Sequence, residues 1–293
     1  MAVSLVEKAP AKVNLTLRVL RRRPDGYHEI SSLVGFADIA DQLTLTPGGG
    51  LTLSLGGPRA AEAGGLADNL VLKAARALAA RLPNMVSGAF SLEKNLPAAA
   101  GIGGGSADAA AALRLLARAN KLSSDDPRLH DAARATGADV PVCLDPRPRL
   151  MSGIGEQLSP PLNLPLLAAV LINPGVAVPT KDVFANWTKN AGAASPLDLT
   201  TVENILDAKS FIELLKQEAN DLEAPAIKLA PVIADALAAL RALQDCRLAR
   251  MSGSGATCFA IFDGSGAAQE AALALGSQYP RWWIKACEIG AAG

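Results

Sequence analysis

Gly101, Gly103, Gly104 and Gly105 crowd into the stretch LPAAAGIGGGSADAAAALRLLARAN, which closes on Ser106 and runs straight into an alanine-rich segment. Residues of this type at this spacing suit an anion. Glycine tolerates positive φ and lets a ligand approach the backbone, while a helix opening near Ser106 adds unpaired N–H groups and about half a positive charge at its first turn. A phosphate is the natural guest, although a glycine turn that merely starts a packed helix is the plainer reading of such a cluster. No GK[ST] ends the segment, so it is not a Walker A loop, and Ser106 stands where GxGxxG requires its last glycine. Asp125 and Asp126 lie near the spacing of a ribose-binding acid, but they sit in the polar loop SSDDP rather than at a strand end. A Rossmann dehydrogenase is disfavoured.

The elements around this loop follow from periodicity. Val13, Leu15, Leu17 and Val19 alternate through residues 11–20, which predicts a strand with one buried face and Lys12, Asn14, Thr16 and Arg18 on the other. Apolar runs at 30–36 and 43–55, broken by 47–50, predict further strands and a turn. Leu70, Leu72, Ala75, Leu78 and Ala79 recur at helical spacing, with Asp68 or Asn69 available as the cap. Helices are predicted over 106–119 and 127–136, and the apolar run 140–144 reads as a short buried strand. After the proline-rich residues 145–148, strands are predicted at 166–173, 257–262 and 282–286, and helices at 210–219, 230–243 and 267–275. This is an α+β pattern with a domain boundary near residue 150, giving domains 1–150 and 151–293.

Bulk composition narrows the partners. The 28 basic residues balance the 28 acidic ones, so no global field draws the chain to nucleic acid or to an anionic membrane, and an anionic ligand must meet a local site. The apolar run 164–172 contains Pro165 and is too short to span a bilayer, and the opening MAVSLVEKAP lacks the pattern of a secretory signal. A cytoplasmic location is expected. Cys143, Cys246, Cys258 and Cys287 are scattered without a CxxC pair and read as reduced packing residues.

Residues 97–107 resemble the phosphate-binding loop of the GHMP kinase superfamily. PAKVNLTL from Pro10 resembles its first motif and MSGSGATCFAIF from Met251 its third, so three motifs fall in order along nearly the whole chain. The resemblance implies a two-domain α+β fold: an N-terminal nucleotide-binding α/β domain, a C-terminal ferredoxin-like domain whose last strand can pack back on the first, and a site in the cleft between them. It implies ATP as phosphate donor with Mg2+. Pro97, Ala98, Ala99, Ala100, Gly101, Ile102, Gly103, Gly104, Gly105, Ser106 and Ala107 would hold the phosphates, Ser106 would be available to the metal, and Asn69 and Lys94 would lie at the adenine.

DGYHEI at Asp25, GADVPVC at Gly137, PGVAVPT at Pro174 and NDLE at Asn220 together resemble one branch of that superfamily. Its acceptor is a cytidine diphosphate ester of a methylerythritol, phosphorylated on a tertiary hydroxyl in non-mevalonate isoprenoid synthesis. By that pattern Tyr27 stacks on cytosine, His28 hydrogen-bonds its edge, Phe184 closes the other face, and Thr180 contacts the diphosphate or ribose. Aromatic residues make up only 4% of the chain, so a ring-binding pair is informative. Asp139 would take the hydroxyl proton, Lys12 would offset phosphate charge and Asn14 would bind the polyol. Taken alone, Lys12 reads as a solvated strand lysine, Asp139 as a turn residue and His28 as a strand cap. The chain is expected to act as a monomer or homodimer on a small molecule, with mevalonate, homoserine or sugar kinases of the same superfamily as the nearest alternatives.

Overall fold

The computed structural model describes residues 3–188, 195–205 and 207–290. In chain order the strands and helices are β1 (Leu5–Asn14), β2 (Arg18–Arg22), β3 (His28–Pro47), β4 (Thr52–Gly56), α1 (Leu70–Ala79), β5 (Gly88–Glu93), α2 (Gly104–Ala119), α3 (Pro127–Thr136), α4 (Val140–Leu144), β6 (Arg149–Gly153) and β7 (Gln157–Leu158). They continue with β8 (Leu167–Asn173), α5 (Thr180–Ala185), α6 (Leu199–Glu203), α7 (Ala208–Gln217), α8 (Glu223–Leu229), α9 (Val232–Arg241), β9 (Leu248–Met251), β10 (Cys258–Phe262), α10 (Ser265–Gln278) and β11 (Trp283–Gly290). The architecture is mixed α+β.

Two compact units are built from interleaved segments. One comprises the described residues of Met1–Ala11, Ile39–Ala98 and Gly103–Pro146; the other comprises those of Lys12–Asp38, Ala99–Ile102 and Arg147–Gly293. In the first, the end of β3 pairs antiparallel with β5, Gln42 opposite Glu93, and β5 pairs parallel with β4. Helices α1 to α4 pack on one another. The run Ala109 to Ala112 in α2 is fully buried, because methyl side chains let neighbouring helices approach on several faces at once. Asn69 is the N-cap of α1, its Oδ1 accepting from the Val71 amide at 3.0 Å, which selects between the two cap candidates.

In the second unit the strand order is β3, β11, β8, β10, β9. The last strand meets β3 through Ile289 opposite Ala37 and Gly290 opposite Phe36. Strand β8 lies between β11 and β10, with Ile172 opposite both Ile284 and Cys258, and Ala169 to Ile172 are fully buried. Val170, Ile172, Cys258 and Ala260 join Ile233, Leu237 and Leu275 from α9 and α10 in one core.

Two expectations are corrected. Residues 140–144 form a helix, not a strand. All five are buried, so periodicity carries no signal, and Pro141 fits a first helical turn, where its missing N–H costs nothing. The predicted strand 11–20 is also interrupted. The chain bends after Asn14, where Leu15 and Thr16 both donate to the Leu33 carbonyl, and resumes as β2. Its polar face is not half-exposed: Lys12, Asn14 and Thr16 are as buried as Val13 and Leu15, because both faces of this segment are covered.

Candidate functional site

The centre of the glycine-rich loop is held by the first and third motifs. Residues Ala99 to Ile102 accept at three carbonyls: Ile102 from the Lys12 amide at 2.9 Å, Ala100 from the Thr257 amide at 3.1 Å and Gly101 from the Ser252 hydroxyl at 2.9 Å. Ser252, fully buried, itself accepts from the Asn14 amide at 3.0 Å. The fit leaves no room for side chains. A Cβ on Gly101 would lie 2.4 Å from the Ser252 carbonyl oxygen, and one on Gly253 would lie 2.8 Å from the Gly101 oxygen. Gly101 also has φ +75°, and Gly103 enters α2 with φ +62°.

On the other stem, α2 begins at Gly104, with Gly103 as an N-cap that supplies no side-chain acceptor, so its first amides stay free of local capping. Ser106 falls in that first turn. Beneath it lies an ionic cluster that sequence reasoning missed. The Lys94 Nζ donates to Asp108 Oδ2 at 2.8 Å and to Asp41 Oδ2, all three side chains being at most 5% exposed. Asp41 Oδ1 also accepts from the amides of Asn95 and Leu96, at 2.5 and 2.8 Å. Burial pushes the Asp108 carboxyl up to about 7 against the pull of Lys94, and Asp41 adds to the rise. Burial would lower Lys94, but the two carboxylates outweigh it and hold the ammonium above its ordinary value. Lys94 and Asn69 thus spend their side-chain polar atoms inside the protein, Asn69 as a helix cap.

Lys12 is 4% exposed and Asn14 3%. Asn14 Nδ2 donates to Ser32 Oγ at 2.7 Å, and Ser32 donates on to the Thr16 carbonyl at 2.5 Å. The Asn14 Oδ1 is buried with no hydrogen-bond partner among the described residues, an acceptor fixed in place. Asp139 is the half-buried residue at the N-cap of α4, in αR conformation. It therefore stands between two helices, not between a helix and a strand.

Tyr27, His28, Thr180 and Phe184, from segments far apart in sequence, line one cavity of about 770 Å³ together with Arg22, Lys181 and Trp187. Asp25 builds the approach: its Oδ1 accepts from the Tyr27 amide at 3.1 Å, and Gly26 takes φ +89° with nothing within 4 Å of its missing Cβ, so conformation alone asks for glycine there. Tyr27 is 60% exposed. The His28 ring stacks on Phe184, centroids 4.9 Å apart, and meets Trp187 edge-on at 5.6 Å. Burial, and then the charge of Arg22, lower the His28 pKa below its ordinary value. Thr180 Oγ1 is hydrogen-bonded to Ser254 Oγ at 2.8 Å.

The NDLE segment is the bracket behind these parts. Asn220 Nδ2 donates to the carbonyls of Met251 and Gly253, both at 2.8 Å, while Glu223 accepts from the Met251 amide at 3.0 Å. Asp221 accepts from the Val19 amide at 2.8 Å, and the Leu17 backbone bonds on either side of Asn220, its amide donating to the Ala219 carbonyl at 2.9 Å and its carbonyl accepting from the Asp221 amide at 2.8 Å. Buried Arg250 donates to the carbonyls of Leu15, Leu215 and Glu218, and burial brings its pKa down to about 10. Among the described residues no helix is long and apolar enough to cross a membrane, no group of three or more His, Cys, Asp or Glu could hold a metal ion, and Cys246, Cys258 and Cys287 are free thiols.

A glycine-rich loop that opens a helix and is braced by a second glycine-rich motif, on a mixed α+β scaffold, defines a class. The GHMP kinases N terminal domain family matches residues 69–145 and the GHMP kinases C terminal family matches residues 201–281. This chain belongs to the GHMP kinase family. It is similar to the 4-diphosphocytidyl-2-C-methyl-D-erythritol kinase of Rhodopseudomonas palustris (strain BisB5), 56% identical over 292 residues that cover 97% of this chain and 98% of that protein. A protein of the same name from Methylorubrum extorquens is 57% identical over 283 residues, 96% of this chain and 97% of the relative. A crystal structure of 4-(cytidine 5'-diphospho)-2C-methyl-D-erythritol kinase superposes with a TM-score of 0.75 at 35% identity, covering 98% of this chain and 99% of that one. Homoserine kinase from Cytophaga hutchinsonii has a TM-score of 0.73 at 20% identity, covering 100% of this chain and 97% of its own, and so shares the fold.

Proposed function

We propose that this chain transfers the γ-phosphoryl group of ATP to the tertiary 2-hydroxyl of 4-diphosphocytidyl-2-C-methyl-D-erythritol, giving the 2-phosphate and ADP, a step of isoprenoid precursor synthesis. The observation that carries the choice of acceptor is the cavity that gathers Tyr27, His28, Thr180 and Phe184, in a chain sharing more than half its residues with kinases named for that acceptor. A pyrimidine needs flat apolar faces and a few polar partners, and this cavity offers both. The cations Arg22 and Lys181 suit a diphosphate.

In this reading residues 97–107 take the ATP phosphates on backbone amides and the start of α2. Asn14 supports the polyol role because its buried Oδ1 can accept from a hydroxyl. Asp139 receives the proton of the attacking hydroxyl, and Lys12 offsets the charge that gathers on the transferred group. Mg2+ would arrive with ATP, held by phosphate oxygens, water and Ser106, a donor set that fits a hard cation without a carboxylate cage; bound there, it neutralises phosphate charge. Asn69 and Lys94 are assigned to holding the segments that flank the loop, since their side chains are hydrogen-bonded within the protein. In this reading the chain acts on a small soluble molecule in the cytoplasm.

Rates of ADP release with the diphosphocytidyl polyol, mevalonate, homoserine and galactose test the assignment. Turnover on the first alone is expected, and Asp139→Asn should lower it by about 10²- to 10⁴-fold while both substrates still bind. Faster turnover of any of the other three would overturn the acceptor assignment, and an Asp139→Asn enzyme within a few-fold of the parent would exclude base catalysis.

A further inference from the structure

The cavity contains a ring that none of the sequence motifs pointed to. Trp187 follows α5, whose last turn is prolonged by the Trp187 amide donating to the Phe184 carbonyl at 3.2 Å. That three-residue spacing puts Phe184 and Trp187 on the same side of the turn, so both can reach one target. The target is His28. Phe184 covers an imidazole face, with 28° between the planes, and Trp187 abuts at 85° from another side. Val183, fully buried in the core of this unit, anchors the helix that carries them.

We propose that Trp187 is a positioning residue for acceptor recognition: with Phe184 it clamps the His28 ring so that a fixed imidazole edge is offered to the pyrimidine of a cytidine diphosphate ester. This deepens, and rests on, the reading of the cavity as the acceptor site. A histidine on a hairpin end is free to turn about two side-chain torsions, and a hydrogen bond from a mobile ring loses part of its value to the ordering of that ring. Two aromatic contacts, one stacked and one edge-on, restrict both freedoms before the ligand arrives. The arrangement also changes the part given to Phe184. Its contact face is taken by His28, so it serves the base through the imidazole as well as by closing the slot.

A tryptophan that only covered apolar surface would affect stability without singling out one substrate. Michaelis constants for both substrates, with kcat, should therefore be measured for Trp187→Ala, Trp187→Phe, His28→Ala and the Trp187→Ala/His28→Ala double variant. Trp187→Ala is expected to raise the acceptor KM about five- to tenfold with the ATP KM within about twofold of the parent. Trp187→Phe should restore most of the loss, and the double variant should be no worse than His28→Ala, because a residue acting through His28 has nothing left to position. A parent-like Trp187→Ala, equal effects on both substrates, or multiplying effects in the double variant would each overturn the role. A parent that fails to use the cytidine diphosphate ester at all removes the acceptor reading, and this role with it.

Discussion

The Ser252 hydroxyl donates to the Gly101 carbonyl at 2.9 Å, and a Cβ on Gly101 would strike the Ser252 carbonyl at 2.4 Å. One pair of residues thus both joins and spaces the second and third motifs.

Gly101→Ala should therefore be far costlier than a glycine replacement that adds only backbone strain. A left-handed φ costs a non-glycine residue about 1–2 kcal/mol, and here a collision with backbone atoms adds to it. A loss above about 2 kcal/mol is expected by urea unfolding, together with weakened ATP binding. Gly26→Ala, with φ +89° in open space, should lose about 1 kcal/mol and bind ATP as the parent does. Equal effects at the two positions would refute the packing argument.

The Lys94 cluster gives a second test. Lys94→Met leaves Asp41 and Asp108 buried together without their cation, a change expected to cost about 3–5 kcal/mol. Lys94→Met with Asp108→Asn replaces the second buried carboxyl beside Asp41 with an amide that can donate to it, and should recover part of that loss in the same urea titration. If Lys94→Met unfolds at the parent's denaturant concentration, the cluster is not holding the stems of the loop.

His28 sets a pH dependence. Its folded pKa lies below the ordinary 6.5, so the ring is neutral at neutral pH, and the interactions of the neutral ring weaken as acidity rises toward and past that lowered value. The acceptor KM should be flat above about pH 6.5 and rise on acidification, whereas His28→Ala should flatten the profile. An acceptor KM that instead rises with pH between about 6 and 8 would have the wrong sign.

Much of this arrangement was legible from residue types and order. Glycines at 101–105 before a helix marked the loop, and alternation marked the strand that carries Lys12 and Asn14. What periodicity could not reach was burial on both faces. Alternation alone reads Lys12 as a solvated strand lysine and the wholly apolar run Val140 to Leu144 as a strand, since a segment covered on every side shows no pattern. Asp41 was illegible for another reason: its partners Asn95, Leu96 and Lys94 are remote in sequence, and a lone aspartate inside a long strand signals nothing until the fold brings them together. Asn220 lies between these cases. NDLE was visible as a motif, but its work of tying Met251 and Gly253 into place appears only in three dimensions.

The position of the new phosphate on the acceptor tests the central claim most directly. Proton-coupled phosphorus NMR of the product formed from ATP and the diphosphocytidyl polyol should show the diphosphate intact and one new monoester resonance. A phosphate on a tertiary carbon has no hydrogen on that carbon to couple to, so the resonance should be a singlet. A monoester signal split by carbinol protons, or loss of the diphosphate resonances with release of a cytidine nucleotide, would contradict the account.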